Sequence, residues 1–339
     1  EKLQREVVMC CVNEDTIGIE RLTKDLKNSA RTLTSGQARY LVDYYYQMQD
    51  DRIRAASHVR SSEQDESVTW VEYVFNHLSR LENQIKAALG LYSDSHELGL
   101  WSKSITGIGP VISAGLLAHI DISQTPHAGA LWRLAGLDPT SEWLGKDAAK
   151  KMVDEVMGKE KEITTEKLSL IGAKSHRNPR LLRGMTLSYS NADEKTLTKA
   201  NLVKAVARRP WNAKLKVLTW KIGESFVKQQ NSAGGEFYGG YYLERRAMEE
   251  AANNDGSYKE QALAKAKTVG KSTEAYKHYS EGQFPPGHIY ARAKRWVVKL
   301  FLSHYHHVGY EVMHGKPPDR PWIIAHGGHS DFIPPPNWK

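Results

Sequence analysis

The sequence predicts a mainly α-helical protein, in which a helical stalk or coiled coil precedes a helix-hairpin-helix domain with a long basic insertion and an extended Pro-rich tail. Three observations support this fold class. Apolar residues recur at spacings of three and four over residues 69–91, as on one face of an α-helix. A glycine-rich turn at residues 105–110 is flanked by apolar helical patterns. Helical periodicity returns over residues 197–229 and 287–312.

The turn reads ITGIGP and is typical of a helix-hairpin-helix. Its two glycines can adopt positive φ angles and allow another backbone to come close. Pro110 suits the first position of the helix that follows, and free N–H groups at a helix start favour phosphate oxygens. The alternative is a tight turn in an ordinary helical core. The residues expected to contact the backbone of a nucleic acid are Thr106, Gly107, Ile108 and Gly109.

A stalk is expected over residues 34–100, where two helical patterns follow one another. Thr34 or Ser35 can cap the first helix, which carries three consecutive tyrosines, 44–46. These tyrosines either stack on bases or pack between helices. The second pattern, residues 69–91, either joins copies of the chain into a homo-oligomer or folds back on residues 34–60 as an antiparallel pair.

Positive charge is concentrated in one part of the chain. The formal net charge is +8, yet residues 167–223 hold thirteen Lys and Arg against two acidic residues, so the remainder is slightly acidic. Such a distribution indicates a polyanionic partner, although a basic helix face can also serve solubility alone. The basic candidates for nucleic-acid binding are Lys174, Arg177, Arg180, Arg183, Lys204, Arg208, Arg209, Lys214, Lys216 and Lys221.

Composition argues against several other classes of protein. No apolar run is long enough to span a membrane, so we expect no membrane partner. The two cysteines are adjacent, which favours a reduced, cytoplasmic setting. Eight of the fourteen histidines fall between His278 and His329, but their spacing does not suit a metal site. We therefore expect no metal ligands and no cofactor. The aromatics of the tail, residues 313–339, predict that it docks on a surface.

The segment T-GIGP-V-SA-LLA-I, followed by ALWRLAGLDP, resembles the C-terminal domain of a transposase family. This family comprises the Piv/MooV-type invertases and the bridge-RNA-guided insertion-sequence transposases. The resemblance extends from about Thr34 to about Val312 around a long insertion. It implies that residues 101–146 form the helix-hairpin-helix core, that residues 147–200 are the basic insertion, and that residues 201–312 complete the transposase-like helical domain.

The family's catalytic parts are expected to be incomplete here. Its members pair a RuvC-like, metal-binding domain with a nucleophilic serine just past the GL-P block. The N-terminal segment, residues 1–33, is too short for such a domain. Trp143 and Leu144 stand where the serine is expected, and Ser141 is the nearest hydroxyl. Either Ser141 has taken over as the catalytic nucleophile, or the serine chemistry is lost; we favour loss.

The sequence is compatible with three functions. The first is a nucleic-acid-binding protein that grips the phosphate backbone of DNA or structured RNA through the hairpin and the basic track. The second is a serine-dependent DNA recombinase or transposase subunit that uses Ser141. Its nuclease domain would be supplied by another chain, and only this alternative would require Mg²⁺ as a cofactor. The third is an architectural subunit of a nucleoprotein assembly.

Overall fold

A computed structural model of the chain describes residues 21–61, 69–160, 162–175, 177–190, 196–320 and 332–338. It confirms the mainly α-helical fold class, and the described residues contain no strand. The α-helices are α1 Lys24–Arg31, α2 Ser35–Ser61, α3 Thr69–Asp94, α4 Glu97–Lys103, α5 Pro110–His119, α6 Ala128–Leu134, α7 Gly145–Met157, α8 Thr165–Lys174, α9 Pro179–Ser188, α10 Lys199–Ala207, α11 Ala213–Gln229, α12 Glu236–Asn254, α13 Lys259–Ala266, α14 Glu274–Ser280 and α15 Pro286–His314.

The chain divides into two compact units. The first unit contains residues 1–126 and 220–339, and the second contains residues 127–219. Helix α11 begins in the second unit and ends in the first. The family-based boundaries at 146 and 200 therefore do not coincide with the structural division, which falls after Pro126 and after Thr219. Of the predicted N-terminal segment, residues 1–20 lie outside the described residues.

Helices α2 and α3 pair antiparallel in the first unit. Arg52 of α2 donates from Nε to Glu82 Oε2 of α3 over 2.5 Å. Their shared core includes Val42 and Met48 from α2 and Leu89 from α3. The fold-back interpretation of the stalk is therefore confirmed, because this face of α3 is covered by its own chain. Homo-oligomerisation through residues 69–91 stays a prediction.

The three tyrosines of α2 have different environments. Tyr45 is buried in the stalk core, while Tyr46 lies 3.9 Å from the Nζ of Lys221 in a cation–π contact. Tyr44 is exposed and stacks on the exposed Tyr40, with ring centroids 6.0 Å apart. Packing therefore accounts for Tyr45 and for part of the Tyr46 surface, and only Tyr44 of the three is open enough to meet a base.

Helix α15 is the central element of the first unit. Val297, Phe301 and Tyr305 are fully buried, and the ring of Phe301 stacks on Trp101 of α4 with centroids 6.0 Å apart. Burial of this row follows from its i, i+4 and i+8 spacing on one helix face. Leu300 of the same helix is only partly buried.

The end of the tail docks on the first unit, as its aromatic residues predicted. The indole Nε1 of Trp101 donates to the Pro336 carbonyl over 2.8 Å, and Asn337 donates to the Ser104 carbonyl over 3.0 Å. Trp338 donates to Glu311 Oε2 over 2.9 Å. Residues 332–338 are thus held by side-chain bonds on both α4 and α15, whereas Trp322 lies outside the described residues.

The second unit has its own core. Val153 and Met157 of α7, Ile171 of α8, Leu182 of α9 and Leu202 of α10 are buried together. The irregular spacing of basic residues over 171–191 suggests a loop when the sequence is considered alone. This interpretation is wrong, because most of the described residues in this stretch belong to α8 and α9.

A local cap explains the start of α9. The Asn178 side chain accepts from the N–H groups of Arg180 and Leu181, and Pro179 occupies the first turn. The Asn178 cap and the proline in the first turn both stabilise a helix start, and neither requires a long amphipathic repeat. The short, irregular apolar pattern that suggested a loop is therefore compatible with a capped helix.

His304 of α15 links the core to the tail. Its Nε2 lies 2.9 Å from the Ile333 carbonyl oxygen and its Nδ1 lies 2.8 Å from the Tyr238 hydroxyl. The neutral imidazole forms both hydrogen bonds: Nε2–H donates to the Ile333 carbonyl, and Nδ1 accepts from the Tyr238 hydroxyl. Burial lowers the pKa of His304 to about 4, because the charged ring cannot be solvated there.

This environment predicts acid sensitivity. An unfolded chain binds a proton at His304 near pH 6.5, whereas the folded chain resists it down to about pH 4. The free energy of unfolding should therefore fall as pH drops through this window, by about 3 kcal/mol from this residue at most. Urea unfolding at pH 7 and pH 4.5 measures it. His304→Gln should show a smaller loss of stability between the two pH values; an equal loss would contradict the assignment.

Candidate nucleic-acid interface

The turn between α4 and α5 is fixed from inside the first unit. Ile105 and Ile108 are buried, and the Ile108 N–H donates to the Ile105 carbonyl over 2.9 Å. Gly107 has a φ of 97°, and its carbonyl accepts from the Ser225 hydroxyl of α11 over 2.7 Å. A β-carbon on Gly107 would lie 2.9 Å from Ser225 Oγ. Gly107 is therefore required by the packing of this turn.

Gly109 differs from what the sequence suggested. Its φ is −85°, so the expectation that Gly109 uses a positive φ is wrong. It is the N-cap residue of α5, it is exposed, and a β-carbon there would meet no atom within 4 Å. Pro110 occupies the first turn of the helix, as predicted. Gly109 thus leaves open space beside a helix start, where backbone N–H groups favour an anion.

The second unit carries most of the basic candidates, and one of them is engaged within the unit. Arg177 donates from Nη1 to the Ala205 carbonyl over 3.2 Å and from Nη2 to the Arg208 carbonyl. Burial lowers the pKa of Arg177, and the nearby charge of Arg208 adds to this. Its guanidinium caps carbonyl groups at the end of α10. This role in holding the unit together leaves its head group less available to phosphate.

Three exposed cations surround the same helix end. Arg209 lies over the indole ring of Trp143, with Cζ 4.6 Å from the ring centroid. Lys204 Nζ lies 5.9 Å from the centroid of Tyr189. Arg208 is exposed beside them, and its carbonyl is the one bound by Arg177. Cations and exposed aromatic rings therefore alternate at this surface.

The remaining basic candidates lie on three helices, α8, α9 and α11. Arg180 and Arg183 are exposed on α9, and neither forms an ion pair with a described residue. Lys174 pairs with Glu155 over 2.5 Å. The other cations lie on α11: Lys214 and Lys216 are exposed in the second unit, where Lys216 Nζ sits 4.0 Å from the Trp211 centroid, and Lys221 is the one over Tyr46 in the first unit.

The AGLDP block is tied to the turn that opens α11. The Asn212 N–H donates to the Leu134 carbonyl over 2.8 Å, and the Asn212 side chain caps α11 by accepting from Lys214 and Leu215. The turn at residues 210–212 is thus bonded to the chain just before the AGLDP block. It places the basic start of α11 beside residues 134–138.

Ser141 lies in the loop that follows this block. Asp138 organises the loop: its Oδ1 accepts from the Thr140 N–H over 2.9 Å, and its Oδ2 accepts from Arg133 Nε over 3.0 Å. Burial raises the pKa of Asp138, but these bonds outweigh it and hold the pKa below its usual range. Ser141 is partly buried, and no described side chain bonds its hydroxyl. In the described part of the chain, the serine therefore lacks a base to activate it.

Neither a metal nor a membrane site emerges from the described residues. No group of three or more His, Cys, Asp or Glu side chains among them is arranged to hold a metal ion. His306 donates from Nε2–H to the Thr125 carbonyl over 2.7 Å, so this buried side chain has a structural role. No helix in the described part has the length and apolar character needed to cross a membrane. His326 and His329 lie outside the described ranges.

Comparison with known proteins supports a transposase relationship. Residues 102–153 match the family model described as Transposase IS116/IS110/IS902 family. The match begins in α4, contains the GIGP turn and the AGLDP block, and ends in α7. No curated protein and no solved structure matches the chain.

Sequence reasoning missed the two aromatic residues of the interface. Trp143 was considered only as the residue that replaces a serine, and Tyr189 was not singled out. The available signal was that Tyr189 lies within the most basic part of the sequence, residues 167–223, whereas Trp143 lies outside it. Their proximity to Arg209 and Lys204 depends on the packing of α9 and α10, which one sequence does not reveal.

The two glycines of the turn should respond differently to substitution. Gly107→Ala should lower the free energy of unfolding by about 1–3 kcal/mol, since alanine is strained at positive φ and would crowd Ser225. Gly109→Ala should change it by less than about 0.5 kcal/mol, because its backbone angles suit alanine and its surroundings are open. Urea denaturation of both variants measures this. Equal destabilisation would contradict the described turn.

Proposed function

We propose that this transposase-related chain binds nucleic acid by its phosphate backbone, with one contact region in each unit. The first region is the start of α5 at Gly109. The second is the basic surface formed by α9 and the end of α10. The observation that carries the proposal is the set of exposed cations with no acidic partner among the described residues, namely Arg180, Arg183, Lys204, Arg208 and Arg209.

Charge pairing elsewhere in the second unit strengthens this interpretation. Lys174 pairs with Glu155, and Lys199 pairs with Asp154 over 2.9 Å. Both acidic partners are residues of α7. The exposed cations of α9 and of the end of α10 have no acidic partner among the described residues. Such a surface attracts a polyanion and gains affinity by releasing counterions from it.

Backbone recognition fits the kind of groups present. Arginine and lysine at a surface, together with N–H groups at a helix start, are the usual ligands of phosphate oxygens. They fix the position of a duplex or a folded RNA without reading its sequence. We therefore propose DNA or structured RNA as the partner, with little sequence preference contributed by these residues.

A second candidate function is strand transfer with Ser141 as nucleophile. The observation that favours it is the position of Ser141 inside the residues that match the transposase model. It takes second place because the Ser141 hydroxyl has no described partner to accept its proton. Formation of a covalent protein–DNA adduct in the presence of Mg²⁺, and its loss in Ser141→Ala, would raise it to first place.

The backbone proposal predicts a steep salt dependence. If Arg180, Arg183, Lys204, Arg208 and Arg209 each neutralise one phosphate, log K should fall against log salt concentration with a slope of about −4 to −5 for duplex DNA. Fluorescence anisotropy with a labelled duplex at several salt concentrations measures the slope. A slope near zero would contradict electrostatic binding.

A double variant on α9 and a control variant on α14 test which cations contact the phosphates. Replacing Arg180 and Arg183 by Gln should make the slope less steep by about 2, since two phosphate contacts are lost. Lys277→Gln removes a positive charge from α14, where Lys277 already pairs with Glu274 over 2.8 Å. This control should keep the slope of the unaltered protein. Equal effects per charge would indicate a general effect of net charge instead of a contact.

A further inference from the structure

Trp143 is an exposed tryptophan whose indole is hydrogen-bonded to the end of α10. It is 48% exposed, in the loop just before α7, yet its indole is held in one orientation. The ring Nε1 donates to the Ala207 carbonyl at the end of α10 over 2.8 Å. A single exposed ring is ordinary at a protein surface, so exposure alone does not indicate a binding site. Trp143 differs because its indole is hydrogen-bonded and has a cation over its ring.

The surroundings of Trp143 indicate a ligand that is both flat and anionic. Arg209 lies over the indole, and Lys204 lies near the ring of Tyr189, which is 38% exposed. Arg177 binds the Ala205 and Arg208 carbonyls, which belong to the same stretch of chain as Lys204 and Arg209. Both ring–cation pairs therefore border one short stretch of chain, residues 204–209.

Phosphate binding alone does not require the rings. The cations of α9 can contact a duplex backbone without any aromatic neighbour, since stacked bases in a duplex hide their faces. Unpaired bases expose those faces and stack on aromatic side chains, while nearby cations contact the connecting phosphates. Trp143 and Tyr189 with Lys204, Arg208 and Arg209 supply both kinds of contact.

We propose that this ring–cation cluster is a site for unpaired nucleotides, with Trp143 as its main stacking surface. The inference rests on the proposed nucleic-acid binding and deepens it, because it assigns single-stranded segments to this surface. Trp143 stacks on a base, Tyr189 supplies a second ring, and Arg208, Arg209 and Lys204 hold the adjoining phosphates.

The test uses the full chain and two labelled oligonucleotides of equal length. One is an unpaired mixed-sequence strand, and the other carries abasic sites, so that it keeps the phosphates but lacks the bases. At fixed salt, the unaltered protein should bind the strand with bases about 5- to 150-fold more tightly, as expected for the stacking of one base. Trp143→Ala should remove most of this difference and leave the salt slope unchanged.

Two further variants control for folding and for the loss of any exposed tryptophan. Trp143→Phe keeps a ring but loses the bond to the Ala207 carbonyl, so it should retain part of the preference for bases. Trp70→Ala removes a tryptophan that is 78% exposed on α3, and it should bind both strands as the unaltered protein does. Circular dichroism confirms that each variant is folded.

The outcomes separate this inference from the function on which it rests. If the unaltered protein binds both strands equally, or if Trp143→Ala keeps the full preference for bases, the stacking site is refuted while backbone binding stands. If the protein binds neither strand nor duplex DNA, both proposals fail. Loss of preference in Trp70→Ala equal to that in Trp143→Ala would also overturn the assignment.

Discussion

The carbonyl oxygens at the end of α10 hold the candidate interface together. The last turn of a helix leaves carbonyl groups without partners inside the helix, and such groups must be bonded by other means. Here Arg177 bonds the Ala205 and Arg208 carbonyls, and the Trp143 indole bonds the Ala207 carbonyl. These bonds bring the loop before α7 and the segment before α9 to the same helix end. The exposed cations at 204, 208 and 209 are positioned as a consequence.

The GIGP turn depends on a separate constraint in the first unit. Its shape requires Gly107 at positive φ, and the Ser225 hydroxyl bonds the carbonyl of that glycine. The turn is therefore a packing element on its inner side. On its outer side, Gly109 and the start of α5 are open. The two interpretations of this motif, core turn and phosphate site, thus apply to different faces of the same six residues.

Part of this structure was accessible from the sequence. The apolar repeat of residues 69–91, Pro110 at a helix start and the aromatic residues of the tail each predicted a feature that the structure contains. Local signals of this kind depend on a few neighbouring residues, so one sequence suffices. The same reasoning failed at residues 171–191, where a capped helix replaces the expected loop, and at Gly109, where the φ is negative.

The candidate site could be predicted only as a set of basic residues. Arg177 and Arg180 lie three positions apart and look alike in sequence, yet one binds carbonyl oxygens and the other faces solvent. That difference depends on where α10 ends in space. The role of Trp143 likewise depends on its contacts with the Ala207 carbonyl and with Arg209. Such roles come from contacts between segments about 30 to 65 residues apart.

We propose that α9, the end of α10 and Trp143 form the surface that meets nucleic acid. Ultraviolet crosslinking of the full chain to the nucleic acid that co-purifies with it, followed by mass spectrometry of the crosslinked peptides, tests this proposal. We expect the crosslinks to concentrate in peptides that contain Trp143, Tyr189 and residues 204–209. Crosslinks confined to the stalk helices α2 and α3, with none in the second unit, would contradict it.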